Sequence, residues 1–257
     1  MPETETPVGK YIYCVIHCQE PRKFATKGIG ERGDLVHTVN HADLAAVVSD
    51  SPVAEYESSR RNMMAHTVVL EEVMQDFAIL PVRFGTVAPH SPAIQDKLLK
   101  RRYDELKDLL EEVDGRVELG LKAFWYEEIV YREIVEENPP IRELRDSISG
   151  KSPDGSYYER IRLGEMVKAA MDRKRDSDAA GILAALRPLA YKGKINSTMS
   201  DRMVLNAAFL VDRTREPEFD QAIHRLDADV GQREAFKYVG PVPPYNFVNI
   251  VVNWDEG

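Results

Sequence analysis

The stretch Ser58–Thr86, SSRRNMMAHTVVLEEVMQDFAILPVRFGT, decides the fold of this chain. Its first half has helical periodicity after a cap at Ser58 or Ser59. The apolar stripe of this predicted helix is formed by Met63, Thr67, Leu70, Val73, Met74 and Phe77. Its second half, from Phe77 to Gly85, is a short apolar run typical of a strand. A helix followed at once by a strand indicates α+β or α/β layers, because the apolar stripe of a helix needs a sheet to cover it.

The residues before this stretch predict a small antiparallel sheet. Tyr11–His17 is a nearly continuous apolar run, which favours a central strand covered on both faces. Gln19–Asp34 contains one proline and three glycines and is interpreted as a loop with at most one short helix. Leu35–Asn40 and Leu44–Ser49 are predicted strands. The order within residues 1–88 predicts a modified ferredoxin-like domain whose first helix is shrunken or replaced by a loop.

A heptad-like seam follows the first predicted domain. Ser91 and Pro92 are typical of a helix start. The apolar residues spaced by four and three are Leu99, Tyr103, Leu106, Leu110 and Val113. The seam spans about two heptads, which is short for an independent coiled coil. We therefore favour a helix that packs on its own chain over a dimer zipper.

Residues 89–257 are predicted to form a C-terminal domain that contains both strands and helices. Its predicted elements are a strand at Arg116–Phe124, helices at Trp125–Glu137, Ile141–Ile148, Tyr157–Arg175 and Asp178–Leu186, a mobile connection at Tyr191–Met199, a strand at Asp201–Asp212, a helix from Glu216 to Gly231, and strands at Ala235–Val239 and Phe247–Trp254. The order strand, amphipathic helix, strand occurs in both halves of the chain. This echo is either a chance recurrence or a second ferredoxin-like sheet with a helical insertion over about 125–199.

The composition narrows the class of protein. The chain has 257 residues, a net charge of −9 and a pI near 5.3, which disfavours nucleic-acid binding. Its cysteines, Cys14 and Cys18, form no disulfide framework and suit a reducing compartment. Met1–Lys10 is polar and does not resemble a signal peptide, and Met1–Gly9 is predicted to be a disordered tail. No apolar run is long enough for a transmembrane helix. We expect a cytoplasmic protein that binds neither membrane nor nucleic acid.

A search for chemistry finds little that indicates turnover. Cys14 lies inside a predicted strand and no second cysteine pair completes a zinc site, so we predict no metal. His66 lies on or beside the apolar stripe, which favours a hydrogen-bonded core or boundary histidine over a catalytic base. The spacing Gly28-x-Gly30-x-x-Gly33 lacks the strand before it and the helix after it that a nucleotide loop requires. We predict no catalytic residue and no cofactor.

Two segments are candidates for contact with other proteins. Arg60 and Arg61 lie in the first helical turn, where positive charge opposes the helix dipole. With Arg83, they either pair with carboxylates of this chain, which we favour, or meet a partner. Gly240–Phe247 is either a rigid turn, which we favour, or a docking edge with low conformational entropy. The candidate interaction surface is Arg60, Arg61, Arg83, Pro243, Pro244 and Tyr245.

Several separated motifs together resemble one known family. They are S-R-R-N-x-x-x-H and L-P-V-R-F-G-T in the opening stretch, Y-I-Y-x-V at Tyr11–Val15, and G-P-x-P-P-Y-x-F-V at Gly240–Val248. In this order they resemble the gas vesicle protein GvpF/GvpL family. The resemblance implies a non-catalytic accessory or minor structural protein of gas vesicles. It also implies an N-terminal ferredoxin-like domain and a C-terminal α/β domain with coiled-coil-like helices. It also implies contact with the shell protein GvpA and with other vesicle proteins during assembly.

Two other classes of function stay open from the residues alone. A ferredoxin-like scaffold can host a small-molecule enzyme or sensor. The seam from Leu99 to Val113 could instead make the protein a self-assembling structural component. A deep pocket with convergent polar groups would favour the first alternative, and a dimer in solution would favour the second.

Overall fold

A computed structural model describes residues 8–254 and shows a mixed α+β fold with curled antiparallel sheets, which confirms the predicted class. The predicted tail at residues 1–9 lies mostly outside the described residues, but Val8 and Gly9 belong to the first strand. The chain divides into two compact units. Unit 1 contains the described residues up to Glu118 and those from Pro241 onward, and unit 2 is Leu119–Gly240. The predicted boundary at residue 88 stays a prediction about separately folding domains.

Unit 1 is built on a sheet with the order β2-β3-β4-β1-β5, and β6 also pairs with β1. The elements are β1 (Val8–His17), β2 (Lys23–Lys27), β3 (Leu35–His41), β4 (Leu44–Pro52), α1 (Arg60–Val73), β5 (Ile79–Pro81), β6 (Val87–Ala88), α2 (Ser91–Ala93), a π-helix (Ile94–Lys100) and α3 (Tyr103–Val113). Strand β1 is central and antiparallel to β4 and β5, as its apolar run predicts. Without β2, this order is the ferredoxin-like one.

The segment before β3 is a strand, so the prediction of a loop at Gln19–Asp34 was wrong in part. β2 pairs with β3 at the edge of the sheet. The Glu72 carboxylate accepts hydrogen bonds from the amides of Ala25 and Thr26, each at 2.8 Å. This side chain on α1 thus satisfies two donors of an edge strand that the alternation of KFATK alone does not specify.

Helices cover the sheet of unit 1. α1 packs on β1, β2 and β5, while α3 packs on β1 and β5. The buried residues of α1 are His66, Val69, Leu70 and Val73. The stripe was therefore predicted correctly at Leu70 and Val73 but not at Met63, which is 46% exposed.

The seam after β6 is buried within unit 1. Leu99, Leu106, Leu110 and Val113 are all buried. The π-helix changes the helical repeat between Leu99 and Leu106. His90, rather than Ser91, provides the cap, because its Nδ1 accepts from the Ala93 amide at 3.1 Å. The seam thus packs on its own chain, as favoured above, and is not available as a dimer zipper.

Unit 2 has a second sheet with the order β10-β7-β9-β8. Its elements are β7 (Arg116–Trp125, which begins in unit 1), α4 (Glu127–Glu137), α5 (Pro139–Ile148), α6 (Tyr157–Leu186), β8 (Lys192–Ile195), β9 (Met203–Asp212), α7 (Glu216–Val230) and β10 (Glu234–Val242). This is again the ferredoxin-like order, with α4, α5 and α6 in the first crossover. The echo in the sequence therefore corresponds to a repeated strand order.

Three predicted elements of the C-terminal half need correction. Tyr157–Leu186 is one helix of 30 residues, because Asp178 binds Trp125 and Arg233 instead of capping a new helix. Lys192–Ile195, predicted as a mobile connection, is an exposed edge strand paired with β9. Phe247–Trp254 is not a strand, and its one isolated bridge is the parallel pair Val82 and Ile250. No helix within residues 8–254 has the length and apolar character needed to cross a bilayer.

Candidate docking groove

A groove of about 400 Å³ lies in unit 1 between α1, the residues after β5 and the C-terminal turn. The amide of Val82 donates to the Tyr13 carbonyl at 2.9 Å, and the amide of Arg83 donates to the Ile250 carbonyl at 3.2 Å. These bonds hold the floor and one wall. The residues that line the groove include Met63, His66, Arg83, Phe84, Tyr245 and Val248.

His66 provides the buried polar group of the groove and is 3% exposed. The Gly85 amide donates to the Tyr11 hydroxyl at 3.1 Å, and this hydroxyl lies 3.0 Å from His66 Nδ1. Burial lowers the pKa of His66 to about 4, so the imidazole is neutral near pH 7. We assign the Tyr11 hydroxyl as the donor to Nδ1, because this hydroxyl already accepts from the Gly85 amide, and this assignment places the ring proton on Nε2. Among residues 8–254, none accepts a hydrogen bond from this buried Nε2.

Aromatic rings fix the orientation of this imidazole. His66 stacks on Tyr13 with ring centroids 5.5 Å apart, and the Phe84 ring meets its edge at 5.6 Å. The interpretation of His66 as a hydrogen-bonded core or boundary histidine therefore agrees with its position. The sequence could not show that one of its nitrogens would lack a partner.

The three arginines predicted for the surface have different environments. Arg61 forms an exposed ion pair with Glu31, the internal pairing favoured from the sequence. Arg60 and Arg83 are exposed, and neither has an ion-pair partner within the described part of the chain. Arg83 lines the groove, whereas Arg60 does not.

The proline-rich turn also differs from an exposed docking edge. Pro243 and Pro244 are buried, so their rings are not presented to a partner and they act as the rigid turn favoured above. The buried Glu118 carboxylate holds this turn by accepting from the Asn246 amide at 2.8 Å. Tyr245 is 46% exposed and lines the groove. Burial of its hydroxyl raises the Tyr245 pKa, so it stays a neutral donor.

An exposed apolar face of α1 continues from the groove through Met63. Met64 is 57% exposed and Val68 is 44% exposed. We call Met63, Met64, Val68, Arg83 and Tyr245 the docking surface. The sequence analysis missed Met64 and Val68, although their spacing of four residues on an otherwise polar face was a readable signal.

Comparison with known proteins identifies the family. Residues 9–249 match the family described as gas vesicle synthesis protein GvpL/GvpF. This chain belongs to that family. It is 33% identical to gas vesicle protein F of Streptomyces sp. (strain CB03234), over 94% of this chain and 100% of that protein. It is 27% identical to gas vesicle protein L of the same strain, over 87% and 86% of the two chains.

Solved structures of the GvpL/GvpF family share the fold. The crystal structure of GvpF from Anabaena sp. PCC7120 has a TM-score of 0.84 at 26% identity and covers 95% of this chain and 99% of its own. GvpF from Microcystis aeruginosa has a TM-score of 0.77 at 28% identity, covering 93% and 98%. A role connected with gas vesicles follows from this membership.

In this GvpL/GvpF-family chain, the other candidate chemical groups have structural explanations. Cys14 is a buried free thiol whose pKa is raised by desolvation. A Cβ on Gly28 would lie 2.4 Å from Ser49 Oγ, so close packing explains the glycine that begins the G-x-G-x-x-G spacing. Within residues 8–254, no group of three or more His, Cys, Asp or Glu side chains is placed to hold a metal ion.

Proposed function

We propose that this GvpL/GvpF-family protein supports gas vesicle assembly by holding the shell protein GvpA, and other vesicle proteins, on the docking surface. The observation that carries the proposal is the apolar face of Met63, Met64 and Val68 beside a groove lined by Arg83, which has no ion-pair partner among the described residues. Clustered exposed apolar side chains mark interaction sites more often than single ones do. On this proposal the protein works at the growing vesicle.

The chemistry of the docking surface suits a hydrophobic protein partner. Methionine side chains adapt to irregular surfaces, and Met63 and Met64 form most of the exposed face. Arginine and tyrosine are enriched in protein interfaces, and Arg83 and Tyr245 flank the groove. A shell protein that buries such a face would be kept from aggregating until it joins the shell.

We propose a binding role rather than a catalytic one. The donors at the groove include His66 Nε2 and the Arg83 guanidinium, while the side chains of Tyr245, Thr67 and Asn249 can donate or accept. The lining residues include a neutral histidine but no thiol or carboxylate that could act with it as a nucleophile or an acid. The perturbed pKa of His66 and the polar groups that line the groove are the observations that favour the alternative of a small-molecule enzyme or sensor.

Co-purification with GvpA tests the proposal. The double substitution Met64→Glu and Val68→Glu should reduce GvpA recovery by about tenfold or more, because it places two charges on the apolar face. Arg83→Glu should also reduce it, whereas Arg61→Glu should act less because Arg61 already pairs with Glu31. Tyr158→Glu is a matched control, since Tyr158 is an exposed residue of α6 in unit 2. Unchanged GvpA recovery with a folded double variant would show that GvpA does not bind at the docking surface.

A further inference from the structure

The groove contains a hydrogen-bond donor that the described chain does not use. His66 Nε2 is buried, carries the ring proton and has no acceptor within residues 8–254. Buried donors in folded proteins almost always have a partner. Contacts with Tyr11, Tyr13 and Phe84 fix the orientation of the ring. The Nε2–H therefore stays in place and does not rotate toward another acceptor of this chain.

Arg83 adds the positive charge of the groove, and its guanidinium has no ion-pair partner within residues 8–254. The neutral side chains of Tyr245, Thr67 and Asn249, which can donate or accept, are the other polar groups of the lining. Met63, Phe84 and Val248 form apolar parts of the groove wall. A site with a buried donor and a cation among apolar walls complements an anionic acceptor that is attached to apolar groups. A carboxylate has this chemistry.

The shape of the surface favours an extended occupant. A second groove of about 690 Å³, lined in part by Tyr56 and Trp254, shares the residues Arg83 and Phe84 with the first. A compact small molecule would fill one groove, whereas a peptide segment can follow both across this shared ridge. Met63 also connects the first groove to the exposed face of α1.

We infer that the groove binds an extended apolar peptide segment of a partner protein that carries one acidic side chain. The carboxylate accepts a hydrogen bond from His66 Nε2 and pairs with the Arg83 guanidinium, while the flanking apolar side chains contact Met63, Phe84 and Val248. This inference rests on the proposed function and specifies the feature of the partner that the docking surface recognises.

Two matched peptides test the inference with the full chain. The probes are acetyl-Ala-Leu-Asp-Val-Leu-amide and the same peptide with Asn in place of Asp. Calorimetric titration should show about tenfold tighter binding of the Asp peptide, because only that peptide offers a charged acceptor. Nuclear magnetic resonance should show that this peptide shifts the His66 ring signals. Equal binding of the two peptides, or binding of neither, would overturn the inference.

Variants assign the preference to the groove. His66→Asn keeps an acceptor near Nδ1 for Tyr11 but removes the Nε2 donor, so the preference for the Asp peptide should disappear. His66→Gln places an amide near Nε2 and should restore part of the preference. Arg83→Gln should also abolish it, whereas Arg60→Gln should not, since Arg60 is an exposed arginine that does not line the groove. A preference that survives both His66→Asn and Arg83→Gln would contradict the site.

The peptide and co-purification experiments fail in different ways. If GvpA recovery depends on Met64 and Val68 but the peptides show no carboxylate preference, the proposed function stands and this inference falls. If the Asp peptide binds as expected but GvpA recovery is insensitive to the docking surface, the groove serves another partner and the proposed function falls.

Discussion

The two sheets have the same strand order but different first crossovers. In unit 1 the chain passes from β1 to β3 through the five-residue strand β2, and in unit 2 it passes from β7 to β8 through α4, α5 and α6. Both arrangements leave the ferredoxin-like order intact. The strand order therefore depends on the apolar strands themselves. The connection between the first two strands of the ferredoxin-like order can be a short strand, as in unit 1, or three helices, as in unit 2.

Each unit buries a titratable side chain whose pKa is shifted, and the two shifts have opposite directions. Unit 1 buries His66, whose pKa is lowered to about 4 by burial. Unit 2 buries Glu234, which is 1% exposed and whose pKa is raised to about 7, chiefly by burial and then by Asp178, with Arg233 opposing. The units should consequently respond to pH in opposite directions.

The largest expected effect comes from truncating one buried side chain on the helix that covers each sheet. Leu70 of α1 and Phe219 of α7 are fully buried. Leu70→Ala and Phe219→Ala should each cost about 3 kcal/mol of unfolding free energy, because each leaves a cavity. Hydrogen exchange should show the greater loss of protection in the sheet that contains the substitution. Equal losses in both sheets from either variant would show that the two units do not behave separately.

The pH comparison should give the next largest effect. A lowered folded-state pKa of His66 means that the unfolded chain binds more protons below pH 6.5, so its contribution to stability is lost as pH falls toward 4. Between pH 7 and pH 5 this loss is about 2 kcal/mol. It should be absent in His66→Gln, as measured by urea unfolding at several pH values.

Glu234 should show the reverse dependence. Because its folded-state pKa is raised from 4.5 to about 7, the folded form holds the proton more tightly, and stability is lost as pH rises through 7. Between pH 5 and pH 8 the loss is about 2 kcal/mol. Glu234→Gln should remove this slope in the same urea experiment. If the stability of Glu234→Gln changed with pH as that of the unsubstituted chain does, the folded-state pKa of Glu234 would not be raised.

Glu72 tests how the short crossover of unit 1 is held. Glu72→Gln keeps one acceptor oxygen but loses the charge and one of the two bonds to β2. We expect a cost of about 1.5 kcal/mol, because hydrogen bonds to charged groups are stronger than neutral ones. Thermal unfolding measures this cost, and Glu71→Gln is the control because Glu71 is an exposed neighbour on the same helix. Equal effects of the two substitutions would show that the bonds to β2 contribute nothing.

The smallest effect concerns the long helix in the crossover of unit 2. Gly164 and Gly181 lie inside α6, and a Cβ at either position would have no heavy atom within 4 Å. Gly164→Ala and Gly181→Ala should each raise stability by about 0.5–1 kcal/mol, because alanine loses less backbone entropy on forming a helix. A rise in the melting temperature checks this result, and a fall would indicate that α6 needs the glycines.

Elements with a strong apolar period were predictable from the sequence. The patterns of β1, β4, β9, α1 and α7 specify their own secondary structure, since each carries enough apolar residues to indicate its buried face. The strand β2 and the edge strand β8 were missed because their pairing depends on distant residues, such as Glu72 for β2. The unbroken α6 was predicted as two helices with a break before Asp178, but this residue lies inside the helix and its side chain binds Trp125 and Arg233.

The candidate site was predictable only in part. Arg83 and Tyr245 were identified from the sequence, and the structure places both at one groove. Pro243 and Pro244 were included in the candidate surface, although a rigid turn was favoured, because composition does not show which face of a turn is covered. The unpaired Nε2 of His66 depends on the joint positions of Tyr11, Gly85 and the ring, which no local pattern encodes.

The bridge between Val82 and Ile250 has a consequence for synthesis on the ribosome. The wall that contains Tyr245 and Val248 is translated after the whole of unit 2, so the nascent chain cannot form the groove while unit 2 is being made. A translation product that stops before Pro243 would lack this wall and could not bind the proposed partner there. If the groove binds a partner as proposed, binding there is postponed until translation has passed this segment.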